Sequence, residues 1–239
     1  MGADQNIDWA KTAASALEWW RDAGVDMLVE DAPRDWLAAI PEAAAPVAVA
    51  PAATRSAAPP ATIEAFLAWR MSADAPEADW SGVKIAASGP VDAVLMVLVD
   101  CPEREDSDVL MSGAVGRLFD RMLAAIGRSR ADIHLAALCA ARPVAGRMPR
   151  EIEARLGEIA RHHVALVAPK RLLVMGNAAS RAILPTDAAQ SRENLPVLNH
   201  TGGKVTAVVT SYHPRFLLEK PAAKAEAWRD LQMLIGGMK

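Results

Sequence analysis

The sequence predicts an α/β domain, a three-layer α/β/α sandwich with a central, mainly parallel sheet, plus an N-terminal helical segment on a linker. Two observations predict the sandwich. Short, continuous apolar or β-branched runs, clearest at Asp92 to Val99 and Val205 to Thr210, read as strands buried on both faces. Between such runs lie segments with apolar residues three and four apart, and strands alternating with helices imply crossover connections over a parallel sheet. A third observation sets the boundary. From Ala43 to Ala61 the chain is alanine and proline with no apolar periodicity, which favours extended, solvated backbone. The expected organisation is therefore a tryptophan-rich helical segment at 1–42, a linker at 43–61 and the α/β domain at 62–239.

Taken in order, residues 7 to 24 read as a helix ending at Gly24, with Ile7, Ala10, Ala14, Leu17 and Trp20 on one stripe and Trp9 and Trp19 widening it. Shorter helices are expected at 25–29 and 36–40. An isolated helix this small is marginal in water. Its tryptophans therefore want a partner, and two readings stay open: docking on the main domain, or anchoring another protein, a role tryptophan fills well. Thr62 is the expected N-cap of a helix running to Met71. The Asp92 to Val99 strand ends in Asp100-Cys101-Pro102. Gly113 to Ile126 is amphipathic, with Val115, Leu118, Phe119, Met122, Leu123 and Ile126 on one face and Gly127 as its stop. Ile133 to Cys139 is a strand, Arg150 to Val167 a helix, and Arg171 to Met175 a third strand leading through Gly176-Asn177 into a helix ending near Ile183. The Val205 to Thr210 strand and a last helix, Ala222 to Ile235, complete the domain.

Composition narrows the functional classes. With 239 residues, 52% of them hydrophobic, a sizeable core is expected, and a formal net charge of −3 argues against a protein that coats DNA generally. Two cysteines, Cys101 and Cys139, make neither a disulfide framework nor a metal-ligand set. His162 and His163 are adjacent on a helix and point apart, so no metal site is expected. Neither a glycine-rich dinucleotide fingerprint nor a P-loop occurs. The first residues lack the basic and apolar regions of a signal peptide, and no apolar run reaches membrane-spanning length, so a cytoplasmic protein without a membrane partner is expected.

Ligands of open α/β sheets bind beyond the carboxyl ends of the strands. Three strand ends should meet there: Asp100-Cys101-Pro102, the segment after Cys139, and His213-Pro214. A residue before proline is driven out of the α region, so His213 should stand in a turn just past its strand. Two readings of His213 remain open, a cap that packs in the turn or an imidazole aimed into a cleft. With Asp100 it would make a minimal pair for orienting water or stabilising developing charge. Cys101, at a strand end, is the one cysteine placed to be a nucleophile.

The order of these pieces resembles the uracil-DNA glycosylase superfamily, in particular its iron–sulfur branch, often called family 4. Gly113 to Gly127 looks like the helix after that family's uracil-pocket loop. Arg142-Pro143, Gly146-Arg147-Met148-Pro149 and Glu151-Ile152 look like its arginine-proline segment. His213-Pro214-Arg215-Phe216-Leu217-Leu218, with Pro221, Lys224 and Ala227-Trp228-Arg229-Asp230-Leu231, looks like its second active-site motif and closing helix. The resemblance implies catalytic roles for Asp100 and His213, a base pocket at Cys101, Pro102, Met111 and Ala137, and DNA contacts from Arg142, Arg147 and Arg215. Arg161, Lys170 and Arg171 read as a solvated face.

The departures from that pattern carry more weight than the matches. Where the family has glycine-glutamate-alanine-proline-glycine, this chain has Val99-Asp100-Cys101-Pro102-Glu103. Aspartate withdraws the carboxylate by about 1.5 Å, and Glu103 adds a negative charge where a glycine would let the backbone approach DNA. Met111 stands for the aromatic that stacks on uracil and Ala137 for the asparagine that reads its edge. A polar reading site discriminates by roughly 10⁴–10⁵-fold, which alanine cannot supply. Ala141 and Arg155 replace two cluster cysteines and Asp74 to Ala87 contains no cysteine, so no iron–sulfur cluster is expected. The expected function is a catalytically degenerate glycosylase-fold protein, a pseudoenzyme keeping Asp100 and His213 as vestiges. It would serve as a protein- or DNA-binding subunit in replication or repair, with Trp9, Leu17, Trp19 and Trp20 holding a replisome or repair partner. The clamp-loader psi protein, with its N-terminal peptide and similar globular fold, is the analogy. The alternative is an active DNA glycosylase that hydrolyses the N-glycosidic bond of uracil or another damaged base.

Overall fold

The computed structural model describes residues 9–23, 58–143, 148, 150–184, 195–200 and 203–236. The chain forms two units, Met1–Ala53 and Thr54–Lys239. In the first, α1 (Trp9–Asp22) is the helix expected there. It exposes Leu17, Trp19 and Trp20, the two indoles edge-to-face at 6.1 Å. The side chain of Trp9, the short helices expected at 25–29 and 36–40, and residues 43–57 of the expected linker lie outside the described residues.

The second unit runs α2 (Ile63–Met71), β1 (Leu95–Val99), α3 (Gly113–Ala125), β2 (Ile133–Ala137), α4 (Arg150–Val167), β3 (Arg171–Met175), α5 (Asn177–Ile183), β4 (Val197–Asn199), β5 (Val205–Ser211), α6 (Pro214–Glu219) and α7 (Lys224–Ile235). The sheet order is β2-β1-β3-β5-β4, parallel except for β4, which pairs antiparallel with β5 at the edge. Alternation along the buried strands makes the three layers. Met96 and Leu98 of β1 pack with Phe66 of α2, Leu156 and Val164 of α4 and Ile183 of α5. Leu95, Val97 and Val99 face the other way, onto Phe119 of α3, Leu217 of α6 and Leu231 and Leu234 of α7. Successive side chains of a strand point to opposite faces, so one apolar run serves both cores.

Several boundaries differ from expectation. β1 begins at Leu95 because residues 91 and 92 are still in a turn, and β2 ends at Ala137 although the Leu138 and Cys139 N–H groups still donate to the Val99 and Asp100 carbonyls. The three-residue β4, with Val197 and Asn199 exposed, is too short to show a period and was not expected. α7 starts at Lys224, after a 3₁₀ turn at Pro221–Ala223. Thr62 caps α2 as expected, its hydroxyl accepting from the Ala65 N–H at 3.3 Å. Among the described residues no helix is long and apolar enough to cross a membrane.

Register positions the site. Val99 lies beside both Ala137 and Met175, and Met175 beside Ser211, so the four parallel strands end on one line. Asp100, Gly176 and His213 follow within two residues of that line.

Candidate functional site

Asp100 leaves β1 and turns toward the start of α5. Its Oδ1 accepts from the Ala179 N–H at 2.7 Å, one of the free donors that begin any helix. Gly176 makes this approach feasible. Its φ is +116°, and a Cβ placed there would stand 2.4–2.5 Å from all three carboxylate atoms of Asp100. Burial raises the Asp100 carboxyl above its ordinary value, against the lowering effect of the Ala179 and Ala178 N–H groups and of Arg215 and Arg181.

His213 has the extended conformation (φ −64°, ψ 137°) that the following proline demands, and it caps α6: its Nδ1 accepts from the Arg215 N–H at 3.2 Å. The cap reading is thus correct, and it also settles the ring. Burial, reinforced by Arg215 and Arg142 against an opposing Asp106, lowers His213 to about 4, so the imidazole is neutral at pH 7. With Nδ1 accepting, the proton sits on Nε2.

That Nε2 faces Glu103 Oε1 at 3.6 Å. Arg215 Nη1 donates to both Glu103 oxygens at 2.9 Å, and Arg142 Nη1 lies 4.0 Å from Oε2 while donating to the Pro102 carbonyl at 3.0 Å. A carboxylate, two guanidiniums and a neutral imidazole therefore meet at the strand ends. The loop that carries Glu103 is folded around buried Asp106, whose oxygens accept from the N–H groups of Glu103 (2.8 Å), Met111 (3.0 Å) and Ser112 (2.7 Å).

The sequence of residues 87–232, well over half the chain, matches the model of the uracil DNA glycosylase superfamily. The chain belongs to this superfamily. It is also 24% identical over 162 residues to the Type-4 uracil-DNA glycosylase of Pyrobaculum aerophilum, an alignment covering 64% of this chain and 82% of that one. The family 4-like resemblance and the glycosylase-like α/β fold are both correct.

Within the superfamily frame, the expected site residues divide. His213, Arg215, Arg142 and Pro102 come together around Glu103. Cys101 is beside them, its Sγ 3.9 Å from Arg142 Nη1, but burial pushes its thiol up, away from the thiolate a nucleophile needs. Met111 is buried, with a φ of 59° that is uncommon for a side-chain-bearing residue, and its carbonyl accepts from Arg130 Nη2 at 2.6 Å. Ala137 ends β2, half-buried against the α3 side of the core. The nearby rings are occupied with each other: Tyr212 and Phe216 stack at 5.2 Å, and the Tyr212 hydroxyl donates to Glu226 at 2.7 Å. Arg147 lies outside the described residues. Lys170 and Arg171 begin β3, at the opposite edge of the sheet, and Arg161 donates to the Ala182 carbonyl, tying α4 to α5.

The residues present do not fit the four-thiolate cluster that the family 4 branch implies. Cys139 is fully buried with its thiol pushed far up by burial, Ala141 is buried, and Arg155 pairs with Glu158 at 3.0 Å. In the segment where cluster cysteines are missing, buried Glu77 pairs with Arg70 at 2.6 Å and accepts from the Ala140 N–H at 2.8 Å.

Sequence reasoning missed Asp106, Gly176 and the inward turn of Glu103. Gly176 had a signal, a glycine directly after a strand. Asp106 had none beyond its place in a turn-rich loop.

Proposed function

We infer that this chain is a catalytically degenerate member of the uracil DNA glycosylase superfamily, without an iron–sulfur cluster, which binds DNA or protein in replication or repair. One observation carries this reading: the Nε2 of His213 faces the carboxylate of Glu103. A group meant to stabilise a departing base anion works by presenting a donor to developing negative charge. Here a fixed negative charge already stands in front of that donor. Asp100 supports the same reading, because its Oδ1 is engaged by α5 rather than free to orient water. The exposed Leu17, Trp19 and Trp20 of α1 support a protein partner for the N-terminal segment.

The alternative, an active glycosylase, draws on the neutral, Nε2-protonated form of His213, which is a competent donor. Incubating the protein with single- and double-stranded oligonucleotides carrying uracil or hypoxanthine separates the two. No abasic sites are expected above background. Turnover that is abolished in an Asp100→Ala, His213→Ala double variant would overturn the degenerate reading. Pull-downs with the full chain and with one lacking residues 1–42 should recover different partners; identical sets would remove the N-terminal anchor from the proposal.

A further inference from the structure

We propose that Arg142, Arg215 and the Nε2 of His213 form a binding site for a phosphodiester of a nucleic-acid strand, and that Glu103 holds this site shut as an internal ligand. The proposal deepens the DNA-binding part of the function above and rests on it. Its basis is the way Glu103 is held. The Glu103 side chain is only 10% exposed, yet it belongs to no apolar cluster; its neighbours are the two guanidiniums and the imidazole. These are the donors that recognise an oxyanion, and a guanidinium offers its fork to carboxylate and phosphate alike.

Charge and exposure identify the ligand. Glu103 presents one negative charge on two oxygens, as a phosphodiester does. The Arg215 and Arg142 side chains remain 43% and 30% exposed, so the cations can be reached from solvent while the carboxylate sits behind them. An extended strand can meet such a shallow site. Position in the fold agrees, since the site lies where the parallel strands end.

Glu103 is not needed to hold its own loop. Asp106 takes the N–H groups of Glu103, Met111 and Ser112, and none of these bonds involves the Glu103 side chain. Removing the carboxylate therefore empties the site without releasing the loop.

The test is fluorescence anisotropy of a labelled, uracil-free single-stranded oligonucleotide with the full-length chain. Glu103→Ala should bind about tenfold more tightly than wild type at low salt, with a salt slope steeper by about 0.7 for the one added phosphate contact. Glu105→Ala, which removes an exposed charge from the same loop, should give a much smaller gain. Glu103→Ala/Arg215→Ala should return to the wild-type value. Glu103→Gln, which keeps the side chain's size, should move in the same direction as Glu103→Ala and serves if the alanine variant proves unstable. Equal gains from the 103 and 105 variants, or a gain that survives loss of Arg215, would overturn the proposal. Thermal protection of Glu103→Ala by inorganic phosphate, with no gain for the oligonucleotide, would overturn the assignment to a strand. A uracil-bearing strand run in parallel keeps the two readings apart. Excision by Glu103→Ala would count against catalytic degeneracy and leave the anion site standing.

Discussion

A carboxylate can be kept in place without being kept for catalysis, and Asp100 is the example. Its Oδ1 takes the Ala179 N–H at the start of α5, and the approach depends on a residue without Cβ at position 176. Gly176→Ala should therefore cost at least about 2 kcal/mol, from backbone held at a φ of +116° and from a methyl group driven into the carboxylate. Asp100→Ala alone should cost about 1 kcal/mol for the lost cap. In the Asp100→Ala background the steric part of the glycine substitution disappears and only backbone strain remains. Urea denaturation of the four proteins should give a coupling of about 1 kcal/mol or more. Additive costs would mean that the two residues do not constrain each other. The sequence showed an aspartate at a strand end and suggested a role in orienting water. Which way the carboxylate turns depends on Gly176, 76 positions away, and single-chain spacing cannot reveal that.

Elements were easiest to read where both faces are buried, because there the apolar pattern is set by packing alone. β1, β3, β5 and the amphipathic α3 lie within a few residues of their expected bounds. β4 escaped because three residues at an exposed edge carry no period. The segment between α2 and β1 was harder, since its attachment is polar. Arg70 at the end of α2 donates to the Leu138 carbonyl at 3.0 Å and pairs with Glu77, which in turn takes the Ala140 N–H. This buried pair fastens the segment to the end of β2, in the region where the resemblance implies cluster cysteines. Glu77→Ala should be severe, about 3–5 kcal/mol by urea denaturation, because it strands a buried guanidinium and orphans a buried N–H. Glu77→Gln, which can still accept from Ala140, should cost less. Arg70→Met/Glu77→Met should recover part of the loss, since no unpaired charge remains. A double variant no better than Glu77→Ala would mean that the hydrogen bonds to the strand end, rather than charge pairing, fasten the segment.

At the scale of the molecule, the same burial that builds the sheet's two faces leaves histidines unable to take a proton, and this sets a pH dependence. His134 and His163 meet inside the α2 and α4 layer, Nε2 to Nε2 at 3.0 Å, with Phe66 against His163. One Nε2 must accept, and burial lowers both rings below their ordinary value. His213 is lowered to about 4. For each, the unfolded chain binds the proton first as pH falls, so stability should decline from about pH 6.5 downward, for His213 as far as about pH 4. A tenfold difference in proton affinity is worth about 1.4 kcal/mol, so His213 alone contributes roughly 3 kcal/mol over that window. Asp100 acts with the opposite sign, because its raised carboxyl binds protons in the folded state first and restores some stability at the acid end. Melting temperatures followed by circular dichroism from pH 8 to 4.5 should fall below pH 6.5. His213→Asn isolates the site histidine, since asparagine also caps a helix but does not titrate. It should match wild type within about 1 kcal/mol at pH 8 and fall more gently below pH 6.5. Parallel curves for the two proteins would mean that His213 takes its proton equally well folded and unfolded, and the Nε2–H donor assigned to the anion site would have no basis.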